Sequence, residues 1–431
     1  MTGGSVLKAL SLGIERVDRS RFGLPLAFAL LFAFIRGLHL VYSWSRPILN
    51  DAQQYDHLAW ALAQGEPWVN WQGALDWQFG PNGTPTAVRT PGLPLFLAPI
   101  YALFGHQPIA GRTALVLFNA VAAGALFYCL RQRFRLATAV AVSLAWVFWP
   151  VSVRALYYVD SLLAESLAVP LTIFALCALC FEGLRAAALA GVFLGLAILT
   201  RPHLGPTLLV IPLLGFVSFR ALRAERKRLI VCTFCAALCL LPWMARNYSA
   251  FGRFMPLSSQ SGLGLWIGWA PGTDGSWVDN DHEDALVAAM AERHPELLAA
   301  PEPRKSEIFG QAAREAIAEL GVAGVVQRAL WKAWLFVRPW EAFYGFHSAL
   351  FFATLLALCA GRSLWGSAPL ALSTSICLGV LLTSVVTFYL GRYRFVCTPA
   401  LLFLAAAGLE RVLGRVALLS LRHPSRRDCL G

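Results

Sequence analysis

The stretch "GLPLAFALLFAFIRGLHLVYSWSRPILNDAQQYDHLAWALAQG", residues 23–65, contains a long apolar run that ends near Tyr42. A helical run of about 20 residues is long enough to cross ~30 Å of hydrocarbon. Asp51 follows the end of this run closely, and Tyr55 comes one helical turn later. The stretch therefore predicts a first membrane span over residues 22–43, with a carboxylate just outside it.

The composition of the whole chain extends this prediction. Of its 431 residues, 58% are hydrophobic and only 14% are charged, whereas soluble globular proteins carry about 25% charged residues. Apolar runs of spanning length recur along the chain, so we expect an all-α polytopic membrane protein. The net charge of +12 does not indicate nucleic-acid binding, because much of it lies in short loops, as the positive-inside rule requires.

We predict about ten transmembrane helices in one domain, residues 1–431. Residues 90–105 are apolar but contain three prolines, which favours a short helix at the membrane surface. The basic loops at 131–135 and 220–228 then become cytoplasmic, as do both termini. Two large outer loops with interfacial helices follow from this topology, at residues 44–109 and 250–346. The predicted spans are 22–43, 110–130, 136–157, 162–180, 185–200, 204–220, 229–247, 347–361, 368–390 and 395–410.

Three carboxylates lie near the outer ends of these spans. Asp51 is either the cap of an interfacial helix, since Asn50 and Asp51 both favour that position, or a general base at the boundary between water and lipid. Asp160 and Glu165 lie in "YYVDSLLAESL", where Glu165 opens an apolar run. An ionisable residue at that depth is a functional hypothesis. The alternative is a carboxylate favoured by the helix dipole.

Several arginines are predicted at the same outer level, although they are far apart in the sequence: Arg201, Arg246, Arg392 and Arg394. Guanidinium groups match the oxygens of phosphate, so together these residues favour a phosphate or pyrophosphate site. For each arginine alone, the alternative is a side chain that reaches to the membrane interface. The spacing of the histidines and cysteines supports no metal site.

The order of the motifs resembles that of a known family. "NDAQQYDHLAWALAQG", "AVRTPGLPLFLAPIYALFG", "LLAESLAVPL", "AILTRPHLGP" and "GRYRFVCTPALLFLAAAGLE" follow one another along nearly the whole chain. This arrangement resembles the GT-C membrane glycosyltransferases of the protein O-mannosyltransferase and aminoarabinose-transferase type, glycosyltransferase family 39. The resemblance implies a GT-C-like helix bundle with juxtamembrane helices, a polyprenyl-phosphate sugar as donor, and inversion at the anomeric carbon.

The resemblance also implies roles for individual residues. Asp51 corresponds to the family's base, Glu165 to a second carboxylate, and Arg201, Arg392 and Arg394 to basic residues near the lipid phosphate. Ala52 replaces an acid found in many relatives, and the end of the chain soon after the last span predicts that a soluble C-terminal domain is absent. The remaining candidate substrate-binding residues are Tyr55, Arg89, Asp160 and Arg246.

The expected function is glycosyl transfer to an acceptor hydroxyl of a lipid, glycan or protein at the outer face of the inner (plasma) membrane. Trp266 and Trp269 in the second outer loop are candidates for stacking on a sugar. Neither a cofactor nor dependence on a divalent metal can be read from the sequence. The alternative is a lipid-linked sugar flippase or other transporter, which would place paired polar residues at mid-membrane on broken helices.

Overall fold

The computed structural model describes residues 22–48, 50–70, 80–148, 161–217, 222–277, 279–338, 347–359, 361 and 366–422. Within these ranges the regular structure is helical, and extended pairing is limited to two isolated bridges, Val69 with Pro85 and Ser276 with Tyr389. The helices are α1 (Gly23–Tyr42), α2 (Asp51–Ala63), α3 (Gly92–Phe104), α4 (Pro108–Arg133), α5 (Leu136–Phe148), α6 (Ala164–Leu179), α7 (Leu184–Thr200), α8 (Thr207–Val217), α9 (Arg226–Phe251), α10 (Ser261–Trp269), α11 (Asn280–Arg293), α12 (Glu302–Val337), α13 (His347–Cys359), α14 (Ala368–Val386) and α15 (Tyr393–Arg422).

Six of the described helices are long and apolar enough to cross a membrane: α1, α4, α9, α12, α14 and α15. Helices α3 and α5–α8 are shorter and apolar. The predicted class of all-α multi-pass membrane protein is confirmed. The apolar stretch at 90–105 forms α3, a helix of 13 residues with Pro99 inside it, and residues 149–157 of the predicted third span lie outside the described residues.

Helix α12 is longer than the interfacial helices predicted for the outer loop at residues 250–346. It has 36 residues, and its backbone is non-helical at Gly321, where φ is 61°. The half after this kink leaves large apolar side chains exposed, among them Val322, Leu330 and Trp334. By length and composition the helix qualifies as a candidate span, although its stretch was predicted to lie in the outer loop.

The main core joins helices from both ends of the described chain. Helix α1 packs on α4, α7 lies between α6 and α9, and α15 contacts α13 and α14. Trp146 stacks on Phe32 and on Phe395, with ring centroids 6.1 and 6.3 Å apart. Aromatic pairs of this kind contribute about 0.5–1.5 kcal/mol beyond their buried area. A second apolar cluster joins α10, α11 and α12 of the outer loop.

The ends of four helices carry the charged residues of interest. Asp51 is the first residue of α2, Glu165 lies in the first turn of α6, Arg201 follows the end of α7, and Arg392 precedes α15. The start of α3 packs tightly on the end of α7, because a Cβ added at Gly92 would lie 2.2 Å from Oγ1 of Thr200. This contact between main chains holds the segment just before α3 beside the segment just after α7.

Candidate active site

Asp51 is held between two arginines. Its Oδ1 accepts a hydrogen bond from Nη2 of Arg89 at 2.5 Å, and its Oδ2 accepts one from Nη2 of Arg392 at 2.7 Å. Burial raises the pKa of Asp51, but the positive charges of Arg89, Arg392 and Arg201 outweigh this effect and hold the pKa well below its usual range. The carboxylate is therefore ionised at neutral pH.

The alternative reading of Asp51 as a helix cap does not match the contacts. The residue at the cap position is Asn50, and its side chain makes no capping hydrogen bond. Asn50 has φ of 52° and ψ of −128°, and it is the non-glycine residue with positive φ in the described part of the chain. Such a backbone costs on the order of 1–3 kcal/mol and persists where surrounding contacts fix it. The strained residue lies directly before Asp51.

Glu165 and Arg201 form a buried ion pair. Nη2 of Arg201 donates to Oε1 of Glu165 at 2.6 Å, and the two side chains are 5% and 0% exposed. Nε of Arg392 lies 3.6 Å from the same carboxylate oxygen. Arg392 thus contacts both carboxylates, and the ion pairs form one chain that we call the ionic chain, in the order Arg89, Asp51, Arg392, Glu165, Arg201.

Aromatic rings border the ionic chain on two sides. The guanidinium of Arg89 lies 5.7 Å from the ring centroid of Tyr55, and that of Arg201 lies 5.0 Å from the ring centroid of Tyr393. The ring of His203 is 3.7 Å from that of Tyr393. Tyr393 and His203 were not predicted as site residues, although each lies within two positions of a predicted arginine.

Gln54 is another residue that the sequence analysis missed. Its Oε1 accepts a hydrogen bond from Nε of Arg89 at 2.5 Å, and its side chain is buried. Asp51 and Gln54 are three residues apart on one face of α2, so both hold the same guanidinium. The spacing D-x-x-Q was visible in the sequence, but its meaning depends on Arg89, which lies beyond the helix.

Arg89 and Arg201, the two ends of the ionic chain, line a cavity of about 620 Å³. Tyr55, Arg89 and Arg201 line one side of it, together with the rings of Tyr393 and His203. The outer loop also lines the cavity, through residues 253–258 and 260–265, the start of α12 and Glu283. The cavity has the size of a ligand pocket, which is typically 300–1,000 Å³.

No protein-family model and no curated protein sequence matches the chain. Among solved structures, the oligosaccharyltransferase of Archaeoglobus fulgidus, in complex with Zn and sulfate, matches over 94% of this chain with a TM-score of 0.54 and 17% sequence identity. That enzyme is a GT-C glycosyltransferase. This chain has the GT-C fold. It spans 50% of the length of the oligosaccharyltransferase.

Two further matches have lower scores. Both are structures of ArnT from Cupriavidus metallidurans. The structure bound to undecaprenyl phosphate has a TM-score of 0.41 and 15% identity, and covers 94% of this chain and 81% of ArnT. The apo structure has a TM-score of 0.39 and 16% identity, and covers 94% and 80%. The match to the oligosaccharyltransferase confirms the GT-C fold that was expected from the order of the motifs.

Two of the predicted arginines, Arg246 and Arg394, do not belong to the ionic chain. The Nη1 and Nη2 groups of Arg246 donate to the backbone oxygens of Thr86 at 2.7 Å and Trp68 at 2.8 Å, so this residue anchors the first outer loop. Nη1 of Arg394 donates to the oxygen of Leu335 at 3.4 Å, at the end of α12. Asp160, another predicted residue, lies outside the described residues.

The predicted sugar-stacking tryptophans are packed inside the outer part of the GT-C fold. Trp266 and Trp269 are both buried. Nζ of Lys332 lies 3.8 Å from the ring centroid of Trp269, whose Nε1 donates to the oxygen of Val386 at 2.6 Å. Because both side chains are packed inside the protein, the stacking role is not supported.

The site does not offer the donor set of a metal centre. Each oxygen of Asp51 already accepts from a guanidinium, and a cation there would meet the positive charges of Arg89 and Arg392. The described residues include no group of three or more His, Cys, Asp or Glu side chains that could hold an ion. The arrangement suits an anion instead.

Proposed function

We propose that this chain is a glycosyltransferase that moves a sugar from a polyprenyl-phosphate donor to an acceptor hydroxyl at the outer face of the membrane, with inversion. The observation that carries the proposal is the ionic chain, whose two end arginines, Arg89 and Arg201, line the cavity. It places an ionised carboxylate and an excess of guanidinium groups where several apolar helices end.

The charge of the ionic chain favours an anionic ligand. Arg89, Arg201 and Arg392 contribute three positive charges, whereas Asp51 and Glu165 contribute two negative ones. A phosphate in the cavity would give the arginines that line it, Arg89 and Arg201, a further anionic partner. Guanidinium groups bind phosphate oxygens through parallel hydrogen bonds. A donor phosphate held at the membrane surface by its lipid tail would lie at this depth.

The proposed reaction is a single displacement. The acceptor hydroxyl gives its proton to Asp51, and its oxygen forms the new bond at the anomeric carbon while the bond from that carbon to the phosphate oxygen breaks. The phosphate leaves with the electron pair, and the arginines stabilise its charge. Because a bound phosphate shares the guanidinium charges with Asp51, donor binding raises the pKa of Asp51 towards its usual value and makes it a stronger base.

A flippase remains the second candidate function, because it would bind the same lipid phosphate. The two differ in their products. In the assay, the polyprenyl-phosphate-sugar fraction of the source membranes is the donor and membranes of a deletion strain are the acceptor. We expect the purified protein to form a glycosylated product that mass spectrometry detects. Movement of the lipid-linked sugar without any new product would favour the flippase.

The role of Arg201 can be tested by binding. Arg201→Lys keeps the charge that pairs with Glu165 but loses the planar fork, so we expect it to weaken the binding of undecaprenyl phosphate about tenfold. The measurement is a titration of the purified protein in nanodiscs. Arg304→Lys, at an arginine with 51% of its side chain exposed, is the matched control and should bind like the wild type. Unchanged affinity in Arg201→Lys would remove Arg201 from the phosphate site.

The orientation in the membrane has a separate test. We place both termini in the cytoplasm and the site at the outer face of the inner membrane, on the basis of the basic loops at 131–135 and 220–228. A membrane-impermeant thiol reagent should label Gly272→Cys in intact cells but should not label Ala224→Cys. Labelling of the unmodified chain gives the background from its ten native cysteines. Strong labelling at position 224 would invert the assignment.

A further inference from the structure

A third carboxylate reaches the site from the large outer loop. Glu283 lies in the first turn of α11, and it lines the cavity together with Tyr55, Arg89 and Arg201. Its charge interacts with those of Asp51, Arg89 and Arg392. Glu283 was not among the site residues predicted from the sequence.

The loop that carries Glu283 is fixed beside the ionic chain. The backbone N–H of Trp277 donates to the oxygen of Tyr389 at 2.9 Å, and the N–H of Tyr389 donates to the oxygen of Gly275 at 2.9 Å. Gly275 has φ of 85°, and a Cβ added there would lie 2.8 Å from Cδ of Lys332. Because Tyr389 closely precedes Arg392 in the chain, this pairing sets the position of the loop relative to the site.

The side chain of Glu283 is also oriented. Nε1 of Trp277 donates to its Oε2 at 2.9 Å. The start of α11 is defined by Asp279, whose side chain accepts a hydrogen bond from the N–H of His282 at 2.8 Å. Among the described residues Oε1 of Glu283 has no hydrogen-bond partner, and no guanidinium lies within ion-pair distance. One oxygen is therefore held in place while the other remains available to a ligand.

The environment of Glu283 differs from that of Asp51. Burial is the largest influence and raises the pKa of Glu283 above its ordinary value, and the negative charge of Asp51 acts in the same direction, against the hydrogen bond from Trp277. An ionised carboxylate in these surroundings is stabilised by a hydrogen bond from a neutral donor. A carbohydrate hydroxyl is such a donor.

We propose that Glu283 is a specificity-determining residue that binds a carbohydrate hydroxyl in the cavity through Oε1, with Trp277 holding the carboxylate in position. This inference rests on the proposed glycosyl transfer and assigns a carbohydrate-binding position within the same site. The hydroxyl belongs either to the sugar of the donor or to the acceptor, and the experiment below separates the two sources.

The test compares Glu283→Gln with Glu292→Gln, an exposed glutamate on the same helix. Transfer is followed with the polyprenyl-phosphate-sugar fraction of the source membranes as donor and membranes of a deletion strain as acceptor. We expect Glu283→Gln to lower kcat/KM about 10- to 100-fold, while the affinity for undecaprenyl phosphate, which carries no sugar, stays within twofold of the wild type. Glu292→Gln should match the wild type in both measurements.

The pattern of the loss identifies the source of the hydroxyl. A rise in the apparent KM for the acceptor membranes assigns it to the acceptor, and a rise in the KM for the donor fraction assigns it to the donor sugar. Trp277→Phe keeps an aromatic ring but removes the N–H, and it should change the same constant by a smaller factor. A purely structural role would instead lower the thermal stability and shift both constants together.

The outcomes that overturn the inference are distinct from those that overturn the proposed function. If the wild type transfers sugar and Glu283→Gln transfers it equally well, the role of Glu283 is excluded and the proposed function stands. If the wild type binds undecaprenyl phosphate but forms no product with any fraction, the proposed function fails, and the role of Glu283 falls with it.

Discussion

Asp51→Asn is expected to lower the rate of transfer by at least ~10²–10⁴-fold, the usual contribution of a general base. Asparagine has nearly the same shape but cannot take the proton of the acceptor. It also removes one negative charge between Arg89 and Arg392, so the affinity for undecaprenyl phosphate should stay intact or increase. A rate that falls while binding persists separates a role in the chemical step from a role in binding.

The matched control for this variant is Asp56→Asn on the same helix. Asp56 accepts a hydrogen bond from the hydroxyl of Tyr101 at 2.5 Å and lies 2.8 Å from Nε2 of His106, so it belongs to a separate group of contacts. We expect this control to reduce activity only in proportion to any loss of folded protein. Near-normal turnover in purified Asp51→Asn would show that Asp51 is not the base.

The wild-type protein should keep the Asp51 carboxylate ionised over a wide pH range. Because the pKa of Asp51 in the folded protein lies well below its usual range, its ion pairs add stability above the pKa of the unfolded chain. That stability is lost only as the pH falls through the lower pKa of the folded state.

Glu165→Gln is expected to give the largest loss of stability, about 3–5 kcal/mol, because it leaves Arg201 buried without its charged partner. Glu165 is fully buried, and its Oε1 contacts Arg201 at 2.6 Å and Arg392 at 3.6 Å. The measurement is thermal unfolding of the purified protein in detergent, at fixed pH and salt.

The same variant gives a second readout, which links stability to the proposed ligand. Undecaprenyl phosphate supplies a negative charge, so it should raise the Tm of Glu165→Gln more than that of the wild type. The double variant Glu165→Gln/Arg201→Gln removes both charges and should recover part of the lost stability. An equal shift of Tm by the lipid in wild type and Glu165→Gln would argue against a phosphate close to Arg201.

The sequence predicted that four charged residues of the site lie at one level of the membrane. Asp51, Glu165, Arg201 and Arg392 each lie at the end of an apolar run, and the alternation of spans assigns all four ends to one face of the membrane. The structure brings them into contact. Their pairing could not be predicted, because it depends on which helix ends are neighbours, and that order is set by the packing of distant segments such as α2 on α3 and α3 on α7.

The direction of a side chain was harder to predict than its depth. Arg246 and Arg394 lie near the ends of apolar runs like the others, but their guanidinium groups donate to backbone oxygens in the outer loops. Glu283 was missed because it lies in a polar loop, away from the apolar runs. It reaches the cavity through the pairing of Trp277 with Tyr389. Contacts between residues more than a hundred positions apart leave no periodic pattern in the sequence.

The ionic chain has an odd number of members, and both of its ends are cations. Each carboxylate therefore has an arginine on either side, whereas Arg89 and Arg201 each have a carboxylate on one side only. The loss of a single carboxylate leaves two arginines without full compensation, while the loss of a terminal arginine affects one carboxylate. Stable redesigns of this site should consequently replace residues by neutral ones in adjacent pairs of opposite sign, since such replacements leave the net charge of the ionic chain unchanged.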